Sequence, residues 1–111
     1  MTLSPPRALS GQATRRALSA TEVVTALTQL EGWFLSGDGN EVAISKRYAF
    51  TSFHETMAFV NAVAFVADRL DHHPELLIAP GSCTVRWRTH DVVGISRSDF
   101  EAAARVDALL G

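Results

Sequence analysis

At 111 residues and 47% hydrophobic content, the chain can bury one core but not two. Its 12 acidic and 10 basic residues give a formal net charge of -2 and lie scattered without blocks, which argues against a footprint for nucleic acid or an anionic membrane. The one cysteine, Cys83, has no partner for an internal disulfide or a CxxC pair, and no apolar run approaches the ~20 residues that cross a bilayer, so a cytoplasmic location is expected.

Met1 to Ala17 carries Pro5-Pro6, Gly11, several Ser and Thr and three arginines. It is predicted to be a flexible tail ahead of a single domain spanning 18–111. Ser19 with Glu22 three residues later has the form of a capping box, and Val23, Val24, Leu27 and Leu30 form an apolar stripe, so a first helix is predicted over about Ala20 to Leu30. Gly37-Asp38-Gly39-Asn40 reads as a turn, after which Val42, Ile44, Tyr48 and Phe50 recur at even spacing, the pattern of a β-hairpin with one wet face.

Ser52 and Glu55 repeat the cap pattern, and Met57, Val60, Ala64 and Phe65 recur at helical spacing up to Leu70, predicting a long helix that crosses the sheet. Leu76 to Ala79, the break at Pro80-Gly81, and Val85 and Trp87 alternating with Thr84, Arg86 and Arg88 read as a second strand pair. Pro80 cannot donate to a ladder, so the third strand should be short, kinked or at an edge. Ser96 caps a last helix with Asp99 at N3 and Phe100, Ala103, Ala104, Val106, Leu109 and Leu110 on its apolar side. The fold class is α+β, in the order α-β-β-α-β-β-α, with a four-stranded antiparallel sheet covered by helices on one face. An uncovered edge in so small a chain suggests a homodimer that extends the sheet.

Three of the four histidines, His72, His73 and His90, fall close together among Asp68, Asp71, Asp91 and Asp99. Histidine takes and gives protons near neutrality, so such a group suits acid/base catalysis. His72-His73-Pro74 stands where the long helix must stop, and His90 at the far end of the last strand, positions from which side chains can converge on a cleft. Two other readings stand beside it. His72 and His73 can simply complement the dipole at a helix C-terminus, or three histidines and an aspartate can hold zinc, although adjacent histidines in a regular element point apart. Cys83, at the start of an apolar strand, reads as a buried inert thiol, and Trp33, Phe34, Trp87 and Phe100 as core or interface. Arg86 and Arg88 line a wet strand face, and His54 is assigned no role. Because His72 and His90 sit outside the apolar stripes, replacing either should leave the fold intact.

From Asp68 onward the chain resembles the pterin-4a-carbinolamine dehydratase family, whose pattern is an acidic residue, three positions, His-His-Pro, later Thr-His and later an aspartate. Here it reads Asp68, His72-His73-Pro74, Thr89-His90, Gly94 and Asp99, and the likeness spans about Leu18 to Leu110. The resemblance implies elimination of water from 4a-hydroxytetrahydropterin, a by-product of aromatic amino acid hydroxylases, to give quinonoid dihydropterin. It implies a pterin substrate, no metal or organic cofactor, a functional link to such a hydroxylase, and a homodimer or homotetramer. By the same carry-over His72 and His90 are the acid/base residues and His73 holds the substrate. Asp68, Asp71 and Asp99 are the acidic positions around the site, with Pro74 and Thr89 beside the pterin ring. Two departures bear on the edge strand and one wall of the site: Pro80-Gly81 where the family shows an aromatic residue, and Leu76 where animal members have tryptophan. The competing function is a non-catalytic dimerisation or assembly partner of the same fold. Retention of all three histidines speaks for the enzyme.

Overall fold

The structure is a computed structural model that describes residues 16–92 and 94–111. The expected tail, Met1 to Ala17, lies outside the described residues except for its last two positions. There Ala17 bridges to Ser96 and the Leu18 N–H donates to the Ile95 carbonyl at 2.8 Å.

Helix α1, Ala20–Leu27, starts at Ser19 by the expected reciprocal cap: the Glu22 N–H donates to the Ser19 hydroxyl at 3.2 Å and the Ser19 N–H to the Glu22 carboxylate at 2.8 Å. It loosens into turns over Thr28 to Leu30, ahead of Gly32 at φ 88°, and so stops short of its predicted end. Strand β1, Phe34–Ser36, a single 3-10 turn at Gly39–Glu41, and strand β2, Ala43–Ala49, make the first hairpin. Helix α2, Phe53–Leu70, is capped by Ser52. Strands β3, Glu75–Ala79, and β4, Ser82–Trp87, form the second hairpin, and helix α3, Arg97–Ala108, closes the fold.

The α+β order is the one predicted, and all sheet neighbours are antiparallel in the order β1-β2-β4-β3. Helix α2 carries the chain over the sheet so that β4 pairs with both β2 and β3. Register places Ile44 opposite Trp87, Tyr48 opposite Cys83 and Leu76 opposite Val85. Since strand side chains alternate, these residues share one face, which packs on Val23 of α1, Phe59, Val63 and Ala67 of α2, and Phe100, Ala103 and Val106 of α3. Each large apolar side chain buried there contributes about 1.5–3 kcal/mol. The other face carries Arg47, Arg86 and Leu77, and β3 is an edge strand, with Pro80 falling in the β3–β4 turn where no ladder donor is needed.

The buried stripe of α2 differs from the predicted one: Thr56, Phe59, Val60, Val63 and Ala67 are inside, whereas Phe65 is 64% exposed. The helix has apolar residues on nearly all sides, so spacing alone does not fix its rotation. Thr56 helps fix it, donating its hydroxyl to the Ser52 carbonyl at 2.9 Å and reaching the Pro80 carbonyl at 3.0 Å, which ties the first turn to the β3–β4 turn. In α3 the inner residues are Phe100, Ala102, Ala103 and Val106, while Ala104, Leu109 and Leu110 are exposed. A polar clamp holds α3 to β2: Asp107 accepts from Trp33 Nε1 at 3.0 Å, from Lys46 Nζ at 3.0 Å, and from the Tyr48 hydroxyl. No described helix is long and apolar enough to cross a membrane.

Candidate functional site

The site begins with the way α2 ends. Asp71 adopts the left-handed conformation, φ 51° and ψ 44°, one residue before the histidine pair. Aspartate tolerates that region better than most residues because its short polar chain bonds locally. The reversal produces a Schellman closure, in which the Asp71 N–H donates to the Asp68 carbonyl at 3.3 Å and the His72 N–H to the Ala67 carbonyl at 3.1 Å. His72 is thereby folded back against the helix and into the protein, and His73, next in the chain, is left outside.

The two histidines consequently occupy different environments. The His72 side chain is 5% exposed and its Nε2 lies 2.6 Å from Asp99 Oδ1, while the His73 side chain is 61% exposed and its Nε2 lies 3.2 Å from Asp68 Oδ1 on the helix surface. The burial of His72 departs from the expectation that it stands clear of the core, so its removal opens a packed site.

Asp99 reaches His72 from the first turn of α3, where a negative group complements the helix dipole. Its carboxyl is fully buried and accepts on both oxygens: Oδ1 from His72, and Oδ2 from the Ser96 N–H at 2.9 Å and the Thr89 hydroxyl at 2.9 Å. The Ser96 bond is the acid half of the α3 capping box. Thr89 has one hydroxyl proton and gives it to Asp99, so the Ser96 hydroxyl, 2.5 Å away, donates to Thr89. The hydroxyl chain runs in one direction, Ser96 to Thr89 to Asp99, and leaves Asp99 an acceptor toward His72. His72 must then carry its proton on Nε2 when neutral, with Nδ1 left for other chemistry.

Trp87 completes the shell, its indole stacked on the His72 ring at a centroid distance of 5.2 Å and an interplanar angle of 22°. Alternation along β4 explains the set: Val85, Trp87 and Thr89 turn inward, whereas His90 falls on the opposite side and is exposed on the following turn. Among the described residues His90 makes no side-chain hydrogen bond. Asp71 is exposed at the helix end, and Pro74 is half-buried between His73 and β3. The fold therefore joins His72, Thr89 and Asp99 in one buried network and pairs His73 with Asp68 beside it. Ser96 and Trp87 enter as members the sequence reading assigned only to a cap and to the core. The alternation Val85-Trp87-Thr89 was the available signal for Trp87.

Among the described residues no three His, Cys, Asp or Glu side chains are grouped to hold a metal ion. Surface grooves among the described residues that lie away from the histidines include one of about 560 Å³ between α1 and α3 around Ala26, Leu30 and Phe100, and one of about 430 Å³ around Phe50, Phe59 and Leu109. Cys83 is buried, and burial pushes its thiol up from the ordinary value.

Comparison with known proteins matches residues 16–109 to the family model described as "Pterin 4 alpha carbinolamine dehydratase". A Paracidovorax citrulli protein named "Putative pterin-4-alpha-carbinolamine dehydratase" is 60% identical over 96 residues, covering 86% of this chain and 83% of that one. A Bdellovibrio bacteriovorus protein of the same name is 43% identical, covering 86% of this chain and 80% of its own length. Among solved structures, a "transcriptional coactivator/pterin dehydratase from Brucella Melitensis" superposes with a TM-score of 0.79 at 30% identity, covering 86% of this chain and all of that one. A "pterin dehydratase-like protein" described "as a RuBisCO assembly factor in the alpha-carboxysome" superposes with a TM-score of 0.61 at 26% identity, covering 74% of this chain and 93% of that one.

Proposed function

The chain belongs to the pterin 4 alpha carbinolamine dehydratase family, and from that premise we propose that it eliminates water from a 4a-hydroxytetrahydropterin to give the quinonoid dihydropterin. In this reaction the C4a–O bond breaks and the departing hydroxyl takes up one proton. N5 loses one proton, and the electron pair of its N–H bond becomes the C4a=N5 double bond. Nothing is oxidised or reduced, so the protein's task is to place one proton donor and one acceptor, work worth about 10²–10⁴-fold in rate for each positioned group.

The observation that carries the proposal is the buried His72–Asp99 pair, whose 2.6 Å bond commits Nε2, and it is to Nδ1 that we assign proton exchange with substrate. Asp99 stabilises the positive charge that appears when Nδ1 takes that proton. His90, on the turn after Thr89, is the second proton-transfer group. His73, steadied by Asp68, holds the pterin at the surface of the site. Asp71 and Pro74 set the backbone on either side of the histidine pair, and Thr89 acts through Asp99, its hydroxyl being already engaged there. The substrate arises where a pterin-dependent aromatic amino acid hydroxylase works, in the cytoplasm, and no metal or organic cofactor takes part.

The test is dehydration of 4a-hydroxytetrahydropterin generated in situ by a hydroxylase and followed by ultraviolet absorbance, with and without chelator. Acceleration that a chelator does not alter is expected. Folded protein that leaves the spontaneous rate unchanged would sink the proposal.

A second reading, an assembly or dimerisation partner, draws support from Leu77, 71% exposed on the edge strand, and from the likeness of this fold to that of the RuBisCO assembly factor. Edge strand β3, with Leu77 and Ile78 open, is the surface on which we place self-association into a dimer or tetramer. Light scattering of wild type and Leu77→Lys checks it, the variant being expected at lower mass.

A further inference from the structure

We infer that Trp87 is a positioning residue for His72, an inference that rests on the dehydratase reading for its kinetic test but not for its spectroscopic one. The hydrogen bond from Nε2 to Asp99, 2.6 Å long, and the covalent bond to Cβ hold the two ends of the imidazole, and neither sets the tilt of the ring plane between them. A flat surface against the ring removes that freedom. Trp87 supplies it, 5.2 Å centroid to centroid and 22° from parallel. The two constraints act on different coordinates, one directing the ring edge and the other its plane.

The indole is itself held. It is fully buried at the end of β4 with Ile44 as its cross-strand partner, so it cannot swing aside when the site fills. A second observation separates this from ordinary core packing. The Trp87 Nε1–H is buried and finds no acceptor among the described residues. An aliphatic side chain would strand no donor away from water, which is unfavourable. What an aromatic ring offers in compensation is a flat face against the imidazole. Strand alternation gives the arrangement its economy: Trp87 and Thr89, two residues apart on one face of the chain, reach the ring and its carboxyl partner respectively.

Proton transfer needs the exchanging nitrogen within about 2.6–3.2 Å of its target and aimed at it, so a ring that rocks loses turnover without losing substrate affinity. Trp87→Phe keeps a ring face, and Trp87→Leu and Trp87→Met remove it. Imidazole ¹⁵N–¹H spectra are expected to show wild type and Trp87→Phe with His72 in one Nε2–H form whose proton exchanges slowly. In the non-aromatic variants that signal is expected to broaden or average. In the dehydration assay kcat should fall about tenfold or more for those variants with KM unchanged, while Trp87→Phe stays within about threefold of wild type. Urea midpoints identify which variants are folded.

A folded Trp87→Leu or Trp87→Met that keeps the sharp Nε2–H signal and wild-type kcat overturns the inference. So does a folded Trp87→Phe as defective as these two, which would assign the effect to volume, or a change confined to KM, which would place Trp87 against the substrate. Wild-type protein with no dehydratase activity removes the reaction reading and leaves the spectroscopic result to decide the role of Trp87.

Discussion

Replacing Asp99 with asparagine changes one oxygen for an amide nitrogen at the centre of the buried network, and three bonds determine the outcome. Asp99 accepts from His72 Nε2 at 2.6 Å, from the Ser96 N–H at 2.9 Å and from the Thr89 hydroxyl at 2.9 Å. Asparagine has one acceptor oxygen. The Ser96 N–H is fixed in the backbone and shares Oδ2 with Thr89, so the amide oxygen must occupy the Oδ2 place and the NH₂ must face His72. His72 then has to present a lone pair at Nε2 and carry its proton on Nδ1, the reverse of its wild-type tautomer. The Ser96 and Thr89 bonds survive but lose their charged acceptor, about 1 kcal/mol each, and with the weakened His72 contact the total is about 2–3 kcal/mol. That leaves most of the ~5–15 kcal/mol stability of a domain, so the variant folds. Its kcat should fall by about 10²–10⁴ because the proton sits on the wrong nitrogen, with KM little changed. Urea unfolding and the dehydration assay measure the two effects. A folded Asp99→Asn protein with kcat within about threefold of wild type would refute the tautomer argument.

The other predictions bear on parts of the fold that serve the site. Asp71→Gly should fold at least as well as wild type, whereas Asp71→Val, a branched residue forced to φ 51°, should lower the urea midpoint by an amount equal to about 1–2 kcal/mol. Loss of activity in a well-folded Asp71→Gly would give the carboxylate a direct role. For Asp107, burial pushes the carboxyl up, but hydrogen bonds from Tyr48, Lys46 and Trp33 outweigh it and hold the group below its ordinary 3.8. The associated stability is present above that value and lost as pH falls through the lower folded-state value. Between about pH 5 and pH 3 the urea midpoint of wild type should therefore drop further than that of Asp107→Asn. Val63→Ala, at a fully buried position, should cost about 1–3 kcal/mol, and Phe65→Ala, on the exposed side of the same helix, less than about 1 kcal/mol. Equal costs in chemical denaturation would mean α2 is rotated from the orientation described.

Local rules carried much of the reading from sequence. Ser19 with Glu22, Ser52, and Ser96 with Asp99 marked three helix starts because capping is decided within four residues. Alternation in β4 marked its inner face for the same reason. What spacing does not carry is rotation and long-range pairing. Apolar residues surround α2, and which of them go inside depends on contacts distant in sequence, among them the approach of the Thr56 hydroxyl to the Pro80 carbonyl, 24 positions away. The histidines show the same divide. Their type and proximity signalled acid/base chemistry, but the separation of a buried His72 from an exposed His73 follows from one left-handed residue, Asp71, whose conformation no periodicity encodes. Likewise Asp99 was visible as a helix cap, and its second oxygen's service to a histidine 27 positions earlier depends on how α3 docks against the end of α2.

The most direct test of the central claim is the dehydration of 4a-hydroxytetrahydropterin by wild type and by His72→Gln at matched concentrations of folded protein, in the presence of chelator. Wild type is expected to accelerate the reaction and His72→Gln to lose about 10²–10⁴ in kcat. Equal rates in the two proteins, or no acceleration by either, would contradict it.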